Sequence, residues 1–266
     1  MRLTTIEEIK SNPGMVLDAS FSLSNLYERY FENPPKDHRA AGVHASEVVQ
    51  CMRQAYYSLV STKKESAIDL DMHRRFLIGE AVHESVQRAF RYVCNMSSAP
   101  KITFQSEVST VGTDLHRDLK VTSSCDGVFT FYDQSTTPFL RMGLEIKTES
   151  STSWKNRSKP EEKHIDQGHV YMKALDLPMM YFMYINKESG TVTPCETPFI
   201  QVFDPERWAK IEKRIFTVLD FEALGEPPDF EKGSHCYWCA YRQTCRPFDN
   251  KTNPDLHIPE HLRSKL

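Results

Sequence analysis

Hydrophobic residues follow a helical period in the first third of the chain. From 44 to 60, apolar residues recur every three or four positions, which predicts a helix with Ser46 as its N-cap. A longer pattern of the same kind predicts a helix from about Asp69 to Cys94. The two prolines in residues 33–40 indicate a turn before the first of these helices.

The period then changes to that of β-strands. Three short β-rich segments are separated by turns: Ile102 to Val111, Leu119 to Tyr132, and Phe139 to Thr148. After a polar loop at 149–160, the pattern predicts a helix near Pro160–Leu175, strands at Met179–Ile185 and near Thr191–Val202, and a helix at Pro205–Leu224. Helices that alternate with strands in this order predict an α/β core with a mixed sheet.

Composition narrows the class of protein. Lys and Arg number 33 and Asp and Glu number 36, so the formal net charge of −3 excludes a strongly basic, histone-like binder but allows a local basic groove. There is no stretch of about 18 apolar residues, the length of a membrane span. The first ten residues carry Glu7 and Glu8 and do not resemble a signal peptide, so we expect a cytoplasmic protein. Seven cysteines in a reducing compartment indicate metal binding rather than disulfides.

Acidic residues on two predicted strands suggest a site for a hard divalent cation. Asp126 precedes a glycine in one strand, and Glu145 and Lys147 lie two residues apart in another. Strand alternation puts Glu145 and Lys147 on one face, where charges are costly without a partner. A metal bound by Asp126 and Glu145 would supply that partner. The alternative is an exposed sheet face with an ordinary ion pair.

Two helices offer further polar groups. His83 lies four residues after Gly79 in the long helix and is a candidate metal ligand, which would favour Mn²⁺, or else an ordinary helical histidine. In the helix that follows the strands, Gln167 and Tyr171 lie four apart on one face, and Lys163 extends this stripe by one turn. Such a stripe can hold phosphates, or it can be a solvated helix face.

The cysteines form a separate pattern. Cys236, Cys239 and Cys245 have the spacing C-x2-C-x5-C, and Cys51 lies far upstream. Four thiolates could hold zinc or an iron–sulfur cluster, and spacing alone does not decide between them. A Cys3His zinc site that uses His235 and leaves Cys51 free is a further alternative. We expect Cys94, Cys125 and Cys195 to have no such role, with Cys125 facing the core.

This ordered set of motifs resembles the RecB-like branch of the PD-(D/E)xK nucleases, above all the CRISPR-associated Cas-four type exonucleases and their viral relatives. The family pattern is a first cysteine, G-x-x-x-H, an Asp strand, an E-x-K strand, Q-x-x-x-Y and three clustered cysteines. Between about Ser46 and Pro247 the chain supplies all of it: Cys51, Gly79 to His83, Asp126, Glu145 to Lys147, Gln167 to Tyr171, and Cys236, Cys239 and Cys245. One departure is Ser123, where the family often has a glycine three residues before the metal-binding Asp.

The resemblance implies a fold. It is α/β, with a restriction-endonuclease-like core in which helices flank a central mixed sheet, and with an iron–sulfur subdomain formed by the N- and C-terminal segments. Residues 1–266 would then be a single nuclease domain. Its parts are an N-terminal helical part at about 44–94, a catalytic core at 100–224, a cysteine segment at 225–249 and a tail at 250–266.

The resemblance also implies cofactors and residue roles. A [4Fe–4S] cluster is expected at Cys51, Cys236, Cys239 and Cys245. Mg²⁺ or Mn²⁺ is expected at His83, Asp126 and Glu145, with the Ile146 carbonyl as a further ligand. Lys147 would be the catalytic lysine, and Gln167 and Tyr171 would complete the active-site helix.

The function expected from these features is metal-dependent hydrolysis of DNA, by an exonuclease rather than an endonuclease, at DNA ends or on single strands. Contacts to DNA are predicted for Trp154, Lys155, Arg157, Lys159 and Lys163. Proteins of recombination, replication or CRISPR adaptation are the expected partners, in a host cytoplasm if the chain is viral. The alternative is a non-catalytic DNA-binding or assembly module with a structural zinc or iron–sulfur site.

Overall fold

The computed structural model describes residues 41–62, 70–96, 101–133, 136–192 and 199–245. The predicted turn at 33–40, Cys195 and the tail at 250–266 lie outside the described residues. Contacts between Cα atoms divide the chain into two units, and one of them consists of residues 1–39 and 68–77. The sheet and the sites described below belong to the other unit.

A five-stranded mixed sheet forms the centre of the larger unit, with strand order β1-β2-β3-β4-β5. The strands are β1 (Ile102–Ser109), β2 (Ser124–Tyr132), β3 (Pro138–Glu149), β4 (Met179–Asn186) and β5 (Phe199–Val202). The pair β3–β4 is parallel, and the other three neighbouring pairs are antiparallel. The parallel pair requires a crossover, which a helix supplies.

Helices cover both faces of this sheet. They are α1 (Ala45–Val48), α2 (Met52–Leu59), α3 (Leu70–Met96), α4 (Asp114–Leu119), α5 (Ser151–Lys155), α6 (Glu162–Leu175) and α7 (Pro205–Leu224), followed by a 3-10 helix at Ser234–Trp238. Val82, Val86 and Phe90 of α3 pack on one apolar cluster. Helices α1, α2, α6 and α7 contribute to a second cluster that includes Cys125 and Tyr171. These two clusters confirm the predicted α/β class and the inward orientation of Cys125.

The last long helix begins and ends where its sequence predicts. The Asp204 side chain accepts from the backbone N–H groups of Glu206 and Arg207, and Pro205 follows as the first helical residue. Gly225 ends the helix with φ +74°, a conformation that favours glycine. The bounds Pro205–Leu224 are therefore those expected from the sequence.

The predicted continuous helix at 44–60 is wrong. It is two helices, because Cys51 has an extended backbone with φ −157° and is the N-cap of α2. Ser46 is not an N-cap, since α1 begins at Ala45 after His44. The side chain that caps this end is that of Ser123, the residue before β2, whose Oγ accepts from the Ala45 N–H at 2.7 Å. A partner 78 residues away replaces the local cap.

Two other segments also differ from the prediction. Strand β2 starts at Ser124 rather than at Leu119, because Thr113 caps the short helix α4, which ends at Leu119. The polar loop at 149–160 contains α5, capped by Ser150. Of the strand expected near Thr191–Val202, residues 193–198 lie outside the described residues, and the described part forms the strand Phe199–Val202 and an isolated bridge from Val192 to Ile185.

The segments that carry the cysteines lie against each other. The Met52 N–H donates to Glu231 Oε2 at 2.7 Å, and Arg53 Nε donates to the Pro228 carbonyl at 2.6 Å. Ser58 Oγ lies 3.1 Å from Tyr241 Oη. In the part of the chain that is described, no helix has the length and apolar character needed to cross a membrane.

Candidate active site

Asp126 lies where β2 separates from β3. The pairing of these strands runs as far as Gly127 and Leu144. Beyond that point the Asp126 side chain takes the place of a strand partner, since its Oδ2 accepts from the Ile146 N–H at 2.6 Å. The gap in the sheet therefore places a carboxylate beside the Ile146 backbone.

His83 reaches the same carboxylate from α3. Its Nδ1 lies 3.4 Å from Asp126 Oδ1, and the two side chains are 26% and 14% exposed. Burial alone would lower the pKa of His83, but the hydrogen bond and charge of Asp126 outweigh it, so the pKa is raised. The remote helix and the strand are thus joined at this pair.

Glu145 is the most deeply buried acid of the site, at 1% exposure. Its Oε1 lies 2.5 Å from Lys147 Nζ, whereas its buried Oε2 has no hydrogen-bond partner among the described residues. Burial raises the pKa of Glu145 to about 7, although Lys147 opposes the shift. Burial by itself would lower the pKa of Lys147, but the charge of Glu145 outweighs this effect, so the pKa of Lys147 is raised. Glu145 thus carries a buried oxygen that lacks a partner.

Helix α6 continues this network. Lys147 Nζ lies 3.5 Å from Gln167 Oε1, and Gln167 Nε2 donates to Tyr171 Oη at 2.8 Å. Gln167 and Tyr171 are both buried, and burial raises the pKa of the Tyr171 hydroxyl well above its usual value. The structure therefore brings together every residue that the sequence analysis assigned to catalysis.

The donor set suits a divalent cation. Asp126 and His83 are in contact, and Glu145 lies near enough to interact electrostatically with both. The unpartnered Glu145 Oε2 is costly unless a cation or another donor satisfies it. At the described positions no three His, Cys, Asp or Glu side chains already stand at metal-binding spacing. In this arrangement Lys147 and the Ile146 N–H satisfy the oxygens Glu145 Oε1 and Asp126 Oδ2.

The four motif cysteines line one small cavity. Cys51, Cys236, Cys239 and Cys245 share its wall with Tyr57, Phe230 and Arg53. Arg53 Nη1 lies 3.6 Å from Cys245 Sγ, and the Tyr241 N–H donates to Cys239 Sγ at 3.5 Å. His235 Nε2 lies 3.4 Å from Cys236 Sγ. The structure thus places Cys51 with the three later cysteines.

None of these four cysteines forms a disulfide. Burial raises the pKa of Cys51 to about 11, and it also raises the pKa of Cys236 and Cys239. A metal ion that coordinates a thiol deprotonates it in spite of burial. Four sulfur donors on the wall of one cavity are the ligand type that zinc and iron–sulfur clusters use.

The predicted DNA-contact residues fall into two groups. Lys155 and Lys159 are exposed, although Lys159 Nζ lies 3.5 Å from Glu162 Oε1. Trp154 of α5 is half-buried, and its indole N–H has no partner among the described residues. Arg157 instead forms ion pairs with Glu149 and Glu161, and Lys163 lies 2.9 Å from Glu161. The structure thus commits Arg157 and Lys163 to contacts within the chain.

Comparison with known proteins gives similarity of fold alone. No protein-family model matches the chain, and no curated protein matches it by sequence. A solved structure, SSO0001, matches with a TM-score of 0.54 at 14% identity, over 86% of this chain and 98% of that one. This chain is similar in fold to SSO0001. An alkaline exonuclease, LHK-Exo from Laribacter hongkongensis, matches with a TM-score of 0.47 at 19% identity, over 74% of this chain and 93% of that one.

The structure adds residues that the sequence analysis missed. Gln87 contacts both Glu107 and the Asp126 carbonyl, and Arg53 contacts a motif cysteine. The only signal for Gln87 was its position one helical turn after His83. Glu107 and Arg53 had none, because their partners lie on other elements.

Proposed function

We propose that this chain is a metal-dependent nuclease that cleaves DNA. The observation that carries the proposal is the buried Glu145 carboxylate, which faces Lys147 at 2.5 Å and leaves its second oxygen without a partner, next to Asp126. A carboxylate kept in such a position has a cost that a bound cation would offset. Similarity of fold does not by itself supply an activity.

The ligands in this proposal are Asp126, Glu145, His83 and the Ile146 carbonyl. Mg²⁺ or Mn²⁺ bound there would polarise the scissile phosphate and lower the pKa of a water molecule. Asp126 is held toward the Ile146 backbone by a hydrogen bond and so keeps its orientation without substrate.

Lys147 contributes its charge and its amine protons. In the described arrangement it bridges Glu145 and Gln167. Its ammonium group would orient the attacking water and offset negative charge in the transition state. Gln167, fixed by Tyr171, would hold Lys147 in place.

The test is cleavage of end-labelled linear DNA, single- and double-stranded, by the full chain with Mg²⁺ or Mn²⁺. We expect Asp126→Asn to abolish cleavage. Asp114→Asn is the matched control, since Asp114 is an exposed carboxylate on α4 paired only locally with Arg117. Activity of Asp126→Asn equal to that of the wild type, or absence of metal-dependent cleavage in the wild type, would refute the proposal.

We further propose exonuclease action on DNA ends or single strands, in line with the family resemblance. Covalently closed circular DNA of the same sequence distinguishes the two modes. Persistence of the closed circle while the linear form is degraded supports an exonuclease. Linearisation of the circle indicates an endonuclease instead.

For the cysteine cavity we propose a [4Fe–4S] cluster with Cys51, Cys236, Cys239 and Cys245 as ligands. The presence of Cys51 on the same wall as the other three cysteines supports its inclusion as a fourth thiolate ligand, and His235 lines the same cavity. Anaerobic purification should yield a brown protein with about four irons and four sulfides per chain. One zinc and no iron would overturn this assignment while leaving the nuclease proposal standing.

Contacts to DNA are proposed for Trp154, Lys155 and Lys159, of which Lys159 also pairs with Glu162 at the surface. Lys155→Ala should weaken binding of a single-stranded oligonucleotide and reduce the salt dependence of that binding. Lys120→Ala is the control, because Lys120 is also exposed but forms an ion pair with Glu222. Equal affinities for the two variants would exclude Lys155 from the interface.

A further inference from the structure

The backbone around Asp126 is interrupted on both sides. On the β3 side, pairing stops at Gly127 and Leu144. On the β1 side, the register passes from Ser106–Gly127 to Val108–Cys125 and so skips the pair formed by Glu107 and Asp126. Asp126 therefore depends on side chains for contacts that a continuous ladder would otherwise supply.

Glu107 shows why the β1 ladder is interrupted. Its φ is +51°, in the left-handed region, which is unfavourable for a residue with a Cβ and rare within a strand. Such a conformation persists when surrounding contacts hold it, and it is typical of functional sites. Glu107 has these contacts, since Ser124 Oγ donates to its Oε2 at 2.7 Å and Gln87 Nε2 donates to its Oε1 at 2.7 Å.

Gln87 fills the gap in the ladder. It is 5% exposed and lies one turn after His83 in α3. Besides Glu107, its Nε2 contacts the Asp126 main-chain oxygen at 3.0 Å. One amide group thus binds the strained residue of β1 and the backbone of the acidic residue in β2.

We propose that Gln87 is a positioning residue for Asp126, with Glu107 as its anchor. Helix α3 then binds Asp126 at two points, through His83 at the carboxylate and through Gln87 at the carbonyl. Two contacts define the orientation of a ligand far better than one, and partners behind metal ligands commonly change metal affinity by about 10- to 100-fold. This inference rests on the proposed metal site and names the residues that orient it.

The test compares Gln87→Leu with Arg91→Ala. Arg91 lies one turn further along α3 and also contacts β1, through a 2.5 Å hydrogen bond from its Nη1 to Ser106 Oγ. Each variant thus loses one contact between α3 and β1, but only the loss of Gln87 affects Asp126. Thermal unfolding of both variants checks that they remain folded.

Two measurements on the full chain report on Asp126. The first is the dissociation constant for Mn²⁺ alone, measured by calorimetry without DNA. The second is hydrogen exchange of the Ile146 amide, whose acceptor is Asp126 Oδ2. We expect Gln87→Leu to weaken Mn²⁺ binding about tenfold or more and to speed Ile146 exchange, and Arg91→Ala to change neither.

Variants at Glu107 provide a second line of evidence if Gln87→Leu does not fold. Glu107→Gln still accepts a hydrogen bond from Gln87 and should stay within about threefold of the wild-type Mn²⁺ affinity, whereas Glu107→Ala should resemble Gln87→Leu. Equal Mn²⁺ affinities of Glu107→Gln and Glu107→Ala would overturn the role of Glu107 as an anchor.

The outcomes separate this inference from the proposed function. If Gln87→Leu matches Arg91→Ala in Mn²⁺ affinity and Ile146 exchange, the positioning role is refuted even where the wild type cleaves DNA. If the variants differ as expected but no DNA is cleaved, the positioning role stands and the nuclease proposal fails. A wild-type protein that does not bind Mn²⁺ at millimolar concentration overturns both.

Discussion

Glu231 joins the two segments that carry the motif cysteines, and loss of its partner Arg214 should destabilise the fold measurably. Glu231 Oε2 accepts from the Met52 N–H at 2.7 Å, directly after Cys51. Arg214 of α7 donates two hydrogen bonds to the same carboxylate, at 2.6 and 2.9 Å, and a third to the Val48 carbonyl at 2.8 Å. A single guanidinium thus stabilises the end of α1, the start of α2 and the cysteine segment.

The expected magnitude follows from these contacts. A hydrogen bond to a charged group contributes about 1.5–3 kcal/mol, and partial exposure reduces this contribution. Both side chains are 29% exposed. We therefore expect Arg214→Met to lower the free energy of unfolding by about 2–3 kcal/mol, less than the sum of three such bonds. The coupling between Arg214→Met and Glu231→Gln should be about 1–2 kcal/mol.

Urea titrations of the wild type, both single variants and the double variant give a double-mutant cycle, from which the coupling energy is obtained. Arg117→Met is the control, since Arg117 pairs with Asp114 on the surface, where the two side chains are 61% and 85% exposed. It should cost less than about 0.5 kcal/mol. A cost for Arg214→Met no larger than that of the control, or additive single variants, would refute the reasoning.

Three further predictions concern stability. Burial lowers the pKa of His164 to about 3, so below pH 6.5 the unfolded chain binds a proton that the folded chain does not. When the pH falls from 6.5 to 5, His164 should lower the free energy of unfolding by about 2 kcal/mol. Urea titrations at both pH values should show this loss in the wild type and its absence in His164→Asn. Ser123→Ala removes the acceptor of the Ala45 N–H and should cost about 1 kcal/mol in the same assay, and an unchanged value would show that the contact contributes nothing. Gly168→Ala places a Cβ 2.6 Å from Phe182 Cζ in the core, so it should lower the melting temperature, whereas a higher one would mean that the ring moves aside.

Strands β2 and β3 and helix α7 could be predicted from local sequence pattern, because the side chains that define each element lie within it or next to it. Alternation in β2 and β3 placed Cys125 in the core and Glu145 beside Lys147, and helical period with Pro205 in the first turn predicted α7. Each of these signals lies within a few residues of the element it defines. A sequence pattern can therefore be read without any tertiary contact.

The error in the helix predicted at 44–60 had distant causes. The helix at 44–60 breaks at Cys51, whose neighbour Met52 donates to Glu231, and α1 begins where Ser123 supplies an acceptor. Both partners come from other parts of the chain. Propensity and period cannot report a contact across more than seventy residues, so the predicted helix continued through the break.

By itself the sequence determined the order of the residues that the proposed chemistry uses: His83, Asp126, Glu145, Lys147 and four cysteines. Only the tertiary structure decided how they meet. It placed Asp126 at a gap in the ladder, left Glu145 Oε2 without a partner and introduced Gln87 and Glu107. The physical reason is that burial and hydrogen-bond satisfaction depend on all the elements packed around a residue, whereas sequence pattern records only the neighbours along one chain segment.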